Sequence, residues 1–162
     1  MFGMCPGKKE LLYRRMVLED IDAVHGLVQR TISKSYKDVY SASALDFFRR
    51  YHDVGSITRN VNEGYCILAI CDGVIAGVGE LLGNKIRMVF VEPSLQGMGI
   101  GQGLMMRLQD QARDNGLVEL VLDSSVVAVG FYQHLGYEVV EEASLELAGG
   151  GSLPYSIMRR RL

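Results

Sequence analysis

Apolar and polar positions change period several times along the 162 residues. From Leu11 to Val17 they alternate weakly, which predicts a first strand. Glu19, Asp20 and Asp22 come next and suit a helix N-terminus, where unpaired N–H groups and the helix dipole attract negative charge. Ile21, Val24, Leu27, Val28 and Ile32 recur at helical spacing and place a helix over about 19–31. Lys34–Tyr40 reads as a polar connection. Leu45, Phe48 and Tyr51 form one stripe of a second helix over Ser43–His52, with Gly55 as its terminator and a short helix over 56–62.

The middle of the chain turns to strands. Tyr65–Cys71 is an apolar run closed by the hairpin signal Asp72-Gly73. Val74–Leu82 and Ile86–Val91 follow, stopped by Gly83-Asn84 and Pro93. Ile100, Leu104, Met105, Leu108 and Ala112 mark a buried helical stripe ending near Asn115, with Gly116 as its cap. Leu117–Leu122 reads as a strand, Val126–Leu135 as a short helix, and Tyr137–Glu141 and Tyr155–Arg160 as the last strands. The order β-α-α-β-β-β-α-β-α-β-β describes a mixed α/β sheet with helices rather than regular βαβ repeats. The length fits one domain over 1–162, with 1–10 as a loosely ordered extension.

Composition narrows the class. Seventeen basic against nineteen acidic residues leave a charge of −2, which gives no electrostatic footprint for nucleic acid. Arg159-Arg160-Arg161 reads as a solvated strand end. No apolar run reaches ~18 residues, so no membrane span is expected. No signal-peptide pattern stands at the N-terminus. Cys5, Cys66 and Cys71 form no even framework and no Cys-x-x-Cys pair, which points to a reduced, cytoplasmic protein. Cys66 and Cys71, five apart in one strand, should face opposite sides of the sheet. His25, His52 and His134 show no ligand spacing with the cysteines, so no metal is expected. Met105 and Met106 read as core filler.

Glycine is the outlier: 19 residues, about 12% of the chain against a typical ~7%. Several cluster in Gln96-Gly97-Met98-Gly99-Ile100-Gly101-Gln102-Gly103, between the third middle strand and a helix. A glycine inside a helix costs about 1 kcal/mol relative to alanine, so the cluster needs a reason. Backbone N–H groups unobstructed by Cβ atoms at a helix start form an anion site suited to a pyrophosphate. The alternative is that the glycines only allow close helix–sheet packing. The P-loop and dinucleotide patterns both fail, because Gln102 follows Gly101 and no G-x-G-x-x-G spacing is met.

Gln96-x-x-Gly99-x-Gly101, after a strand ending Val91-x-Pro93, resembles the acyl-CoA pyrophosphate loop of the GNAT N-acetyltransferases. Gly130-Phe131-Tyr132-Gln133-His134-Leu135-Gly136-Tyr137 is similar to the family's Phe-Tyr-x-x-x-Gly-Phe segment, and Tyr13-Arg14-Arg15 through Glu19-Asp20 resembles its opening strand and helix. The resemblance implies a mostly antiparallel sheet of about six to seven strands, splayed between the fourth and fifth and flanked by about four helices. It implies acetyl-CoA as co-substrate, held by Val89, Phe90 and Val91 along the strand and by Gln96, Gly97, Met98, Gly99, Ile100, Gly101 and Gln102 at the pyrophosphate. Ser125, where the family often has Asn, becomes a further contact. Tyr132 matches the position that often protonates the departing thiolate, against a role in packing alone. The activity implied is acetyl transfer to a primary amine, small or peptidic, by direct attack in a ternary complex. A non-catalytic acyl-CoA-binding or sensor module is the alternative.

For the base that frees the amine, Glu80 in an apolar strand is one candidate, since desolvation would raise its pKa, although a solvated face is the simpler reading. Glu92 reads as a turn residue, and ordered water can replace either. The acceptor pocket is expected between the first two helices, with Tyr36 and Tyr40, and the 144–154 loop. The family's habit of pairing through its last strands implies a homodimer through Tyr155–Arg160.

Overall fold

The computed structural model describes residues 2–5 and 9–162. Eight strands make one sheet: β1 (Phe2–Cys5), β2 (Lys9–Arg15), β3 (Tyr65–Cys71), β4 (Val74–Leu82), β5 (Lys85–Val91), β6 (Glu119–Ser125), β7 (Glu138–Glu146) and β8 (Ser152–Arg161). Five helices accompany it: α1 (Ile21–Ser35), α2 (Ala42–Tyr51), α3 (Val54–Glu63), α4 (Ile100–Asp114) and α5 (Val129–His134). The strand order is β1-β2-β3-β4-β5-β6-β8-β7. Every neighbouring pair is antiparallel except β5 and β6, which run parallel and share only the partners Lys85↔Val121 and Ile86↔Leu122. Beyond Ile86 the two strands separate. The expected splay is between the same two segments, and β1 moves it from fourth and fifth to fifth and sixth in the count. The expected extension over 1–10 falls partly on residues outside the described set.

Two apolar layers sandwich the sheet. On one face α4 packs Ile100, Leu104, Met105, Leu108 and Ala112 against Ile67, Ala69, Ala76 and Leu81. Gly77 and Gly79 let it come close, since a Cβ on either would stand 3.0 Å from a leucine methyl of α4. On the other face Val24, Leu27, Val28 and Ile32 of α1 and Ile57 of α3 cover Cys66, Leu68, Val78 and Met88. Met105 is core as expected, but Met106 is exposed, because it falls one position off the buried stripe. Cys66 and Cys71 do face opposite layers. Cys71 is disulfide-bonded while Cys66 is free and buried, which corrects the expectation of an all-reduced chain.

Two of the helices begin at side-chain caps. Ser41 accepts from Ala44 N–H at 3.2 Å to open α2, and Asp53 accepts from Ser56 N–H at 2.7 Å to open α3. The second cap explains why Gly55 does not terminate the preceding helix: it sits in the first turn of α3. The last hairpin is longer than its apolar pattern suggests. β7 runs on through Glu142–Glu146 because it is an edge strand paired only with β8, so its polar positions stay solvated. No helix among the described residues is long and apolar enough to cross a membrane.

Gly64, where α3 gives way to β3, is sterically pinned: a Cβ there would stand 2.8 Å from Glu80 Oε1 and 3.1 Å from the carbonyls of Asn60 and Leu81. Gly64→Ala should therefore lower unfolding free energy by about 1–3 kcal/mol in urea titrations. Gly130→Ala, with nothing within 4 Å of the new Cβ, should leave stability unchanged or slightly raised.

Candidate functional site

The separation of β5 from β6 creates a passage through the sheet. At the end of β5, between the C-terminal turn of α1 and the start of α4, a cleft of about 440 Å³ is lined by Thr31 and Ser35 of α1, by Val89, Phe90 and Val91 of β5, by Gln96, Gly97, Gly99, Ile100, Gly101 and Gln102, and by Phe131 and Tyr132 of α5. A throat of about 90 Å³ shares Tyr36, Val89, Phe90, Ala128 and Tyr132 with this cleft. The throat in turn shares Phe48, His52, Ile86, Arg87, Asp123 and Ser125 with an outer chamber of about 230 Å³ between α2 and the last hairpin.

The glycine loop is built for an anion at backbone level. Gly97 and Gly99 take φ of 80° and 82°, a left-handed conformation that side chains disfavour. The first hydrogen bond of the helix start is Gly103 N–H to Gly99 O at 3.0 Å. The amides before it have no intrahelical acceptor, as at any helix N-terminus. Here they border an open cleft. Gly101 is tight for another reason, since a Cβ would lie 3.2 Å from the Phe131 ring. Gly103 is not part of the cleft. It leaves room for the Tyr13 ring, over which the Arg107 guanidinium stacks at 3.5 Å, so at this one glycine the packing explanation holds.

Side chains brace the end of β5. Gln96 Nε2 donates to Val91 O at 3.1 Å, and Thr31 Oγ1 reaches the same carbonyl at 3.4 Å. Glu92 is committed to Arg30, with Nη2–Oε2 at 2.8 Å, which removes it as a free base. Met98 is exposed and lies outside the cleft lining.

Tyr132 is 8% exposed, with its ring edge-on to Phe131 at 5.1 Å and Tyr137 at 5.9 Å. Burial pushes its pKa up, reinforced by the neighbouring Tyr36 and Tyr137. No hydrogen bond from another described residue occupies its hydroxyl. Tyr36 lines cleft and throat. Tyr40 does not line any of these spaces: its hydroxyl accepts from Val126 N–H at 2.8 Å and ties the approach to α2 onto the loop before α5. Ser125 lines the throat with its Oγ buried and without a partner among the described residues. The Tyr36 and Tyr40 hydroxyls face it closely enough to offset part of the burial-driven rise in their own pKa values, short of a well-formed hydrogen bond.

Glu80 stands apart. Its side chain points to the α1–α3 layer, fully buried, opposite Cys66 and Met88 in the sheet register, and it lines none of the three spaces. Among the described residues neither carboxyl oxygen has a hydrogen-bond partner. Burial lifts its pKa to about 7, with Arg87 pulling against and Glu63 adding to the rise.

Several lining residues carried no sequence signal. Phe131 was within reach, being part of the Phe-Tyr segment. His52, Arg87, Asp123 and Tyr155 come from four separate elements. Arg87 owes its placement to a β-bulge: the register passes from Glu80↔Met88 to Leu81↔Ile86 and leaves Arg87 as the extra residue, and bulges re-aim side chains. Its Nη2 donates to the Tyr51 hydroxyl at 3.3 Å. His52 packs edge-on to Phe90 at 5.1 Å, and burial with Arg87 nearby holds its pKa down at about 4.

The family model for the acetyltransferase (GNAT) domain matches residues 36–158. The chain belongs to this family. A GCN5-related N-acetyltransferase structure from Rhodopseudomonas palustris superposes with TM-score 0.88 at 21% identity, covering 100% of this chain and 98% of that one. The PaiA N-acetyltransferase of Thermoplasma acidophilum, solved with coenzyme A, gives 0.73 at 16% identity, with 94% and 99% covered. Among curated relatives, a glucosamine 6-phosphate N-acetyltransferase of Trypanosoma brucei brucei is 38% identical over 63 residues, 39% of this chain and 42% of that protein. The matched stretch thus spans less than half of that relative.

Glu80 makes stability depend on pH. Its folded pKa, about 7, lies above the ordinary 4.5, so the fold favours the protonated carboxyl. That contribution is fully present below pH 4.5 and is lost as pH rises through 7. His52, with a depressed pKa, acts in the opposite sense, so the informative quantity is the difference between wild type and Glu80→Gln. From pH 4.5 to 8 the wild type should lose about 3 kcal/mol relative to the variant, at ~1.36 kcal/mol per pKa unit, measured by urea unfolding across pH.

Proposed function

We propose that this protein transfers an acetyl group from acetyl-CoA to a primary amine by direct attack within a ternary complex. The observation that carries this reading is the passage itself: a cleft bordered by unpaired amides opens through a narrow throat, beside an unoccupied tyrosine hydroxyl, into a separate chamber. The CoA pyrophosphate meets the backbone from Gly97 to Gln102, where exposed N–H groups and the α4 dipole favour negative charge. The pantetheine arm runs along Val89–Val91, whose strand edge is released by the splay and can pair with amides. The Thermoplasma acidophilum neighbour, solved with coenzyme A, shares this fold, which supports the assignment.

The amine enters from the outer chamber and attacks the thioester carbonyl carbon in the throat. A nitrogen–carbon bond forms and the carbon–sulfur bond breaks. The amine gives up one proton to solvent, and the departing sulfur takes one from Tyr132 Oη, which solvent then restores. The phenol is in its neutral, donor form, so it can hydrogen-bond to the departing sulfur and release its proton as charge builds there. Glu80 is excluded from direct contact by its position beneath Gly64, and Tyr40 acts as a structural tie rather than an acceptor contact. The chamber walls lie on α2 and on the hairpin strands around Leu145 and Leu153, with Tyr36 at the throat.

Two variants separate cofactor binding from chemistry. Gly101→Val places branched methyls against Phe131 and across the cleft, and should weaken acetyl-CoA binding at least 10-fold by calorimetry while melting within a few degrees of wild type. Tyr132→Phe should keep acetyl-CoA affinity within about threefold and lower kcat by about 10²-fold, followed as CoA release with an amine panel. Tight acetyl-CoA binding with no turnover on any amine would make the protein a binding module instead.

A further inference from the structure

The outer chamber has a chemical character that the rest of the site does not share. Phe47, Phe48 and Tyr51 of α2 face Leu145, Leu153 and Tyr155 across it. Phe47 and Tyr51 stack at 5.7 Å, and Phe48 meets the Tyr36 and Tyr40 rings at 5.0 Å each. Three charged side chains also line it: Lys85, Arg87 and Asp123. Lys85 and Asp123 neutralise each other, Nζ–Oδ2 2.7 Å, in a half-exposed pair. That leaves Arg87. Its guanidinium donates to the neutral Tyr51 hydroxyl, and among the described residues no carboxylate lies within ion-pair distance of it. Glu80 and Glu63 influence it only from farther away.

Position sharpens this. Arg87 lines the throat as well as the chamber, and also a space of about 220 Å³ toward α3 that it shares with Tyr51 and Glu63, whereas Phe47, Leu145, Leu153 and Tyr155 line the chamber alone. An acceptor whose amine reaches the throat therefore meets a fork of guanidinium donors immediately beside that amine, and an apolar wall farther out. Guanidinium forks pair with carboxylates in two-point geometry. One unpaired cation matches one negative charge. A phosphorylated sugar would bring two charges and several hydroxyls to a wall with few partners for them.

Resting on the acetyl-transfer reading above, we infer that the acceptor is an apolar α-amino acid, its carboxylate bound by Arg87 and its side chain held between the α2 aromatics and Tyr155. The bulge in β5 is then a specificity device. It turns one arginine out of the strand's alternation and into the path of the acceptor.

Matched amines test this. L-phenylalanine and L-leucine are compared with phenethylamine and 3-methylbutylamine, which lack only the carboxylate, and with glucosamine 6-phosphate. CoA release gives kcat/KM for each. Saturation-transfer NMR on the CoA-loaded protein gives binding without turnover. The amino acids should exceed their decarboxylated partners at least 10-fold in kcat/KM, chiefly through KM. Arg87→Gln should bring that ratio to within threefold of one, and Arg87→Lys should restore part of it. Equal use of both members of a pair, a preference for the amino-sugar phosphate, or a ratio that survives Arg87→Gln would overturn the inference. Phenylalanine binding that depends on Arg87 without turnover on any amine would uphold the amino-acid site but refute acetyl transfer and with it the acceptor role. Absence of Arg87-dependent binding would refute it whatever the turnover.

Discussion

The structure depends on how briefly β5 and β6 are paired. A parallel pair normally continues for the length of its strands, and each unmade rung leaves buried amide and carbonyl groups in need of partners. Here two rungs hold the strands together and the rest is forgone. Each strand is secured on its other side, β5 by β4 and β6 by β8, so the sheet survives the gap. Tyr132 and Phe90 line the gap, and the Tyr40 hydroxyl holds the loop after β6 at Val126. At the end of β5 the Val91 carbonyl is met by Gln96 and Thr31. The cleft, throat and chamber are consequences of the same interruption, which lies at the carboxyl ends of parallel strands where ligands of open α/β sheets gather.

Close approach is the second constraint, and it divides the glycines by neighbour. Gly77 and Gly79 admit the leucines of α4, Gly103 admits the Tyr13 ring, and Gly64 admits the Glu80 carboxyl. These settle α4 and α3 against the sheet. Gly97 and Gly99 instead need the left-handed turn that aims amides into the cleft. A motif that looks uniform in sequence thus serves packing at Gly103 and shapes the cleft wall at Gly97 and Gly99.

What was legible follows the same physics. Strands β3 to β6, the buried stripe of α4 and the glycine loop announce themselves through local period and local turn chemistry, and the structure reproduces them. The cofactor side was readable because its residues are contiguous, from Val89 to Gln102. The acceptor side was not, since Phe47, Arg87, Asp123 and Tyr155 meet only through the tertiary fold. A bulge has no compositional mark, so nothing in Lys85-Ile86-Arg87-Met88 shows that Arg87 leaves the alternation. Tyr36 and Tyr40 look equivalent in sequence, yet one lines the throat and the other is consumed by a backbone amide.

Glu80 and Tyr132 show why burial alone does not designate a catalytic group. Desolvation raises both pKa values. For the phenol, the favoured form is the one that donates a proton, and it also faces the cleft. For the carboxyl, the favoured form is the one that cannot accept, and it has no line to the throat. The raised pKa values make the phenol a weaker acid and the carboxylate a stronger base, so position is what separates the two residues: Tyr132 lines the cleft and Glu80 does not. In the proposed reaction the leaving sulfur takes its proton from the protein and the amine gives its protons to solvent. That division suits the chemistry. The ammonium must lose one proton before it attacks, and the tetrahedral nitrogen formed by attack is far more acidic than that ammonium, so water accepts the second proton readily, whereas the thiolate departs beside the buried Tyr132.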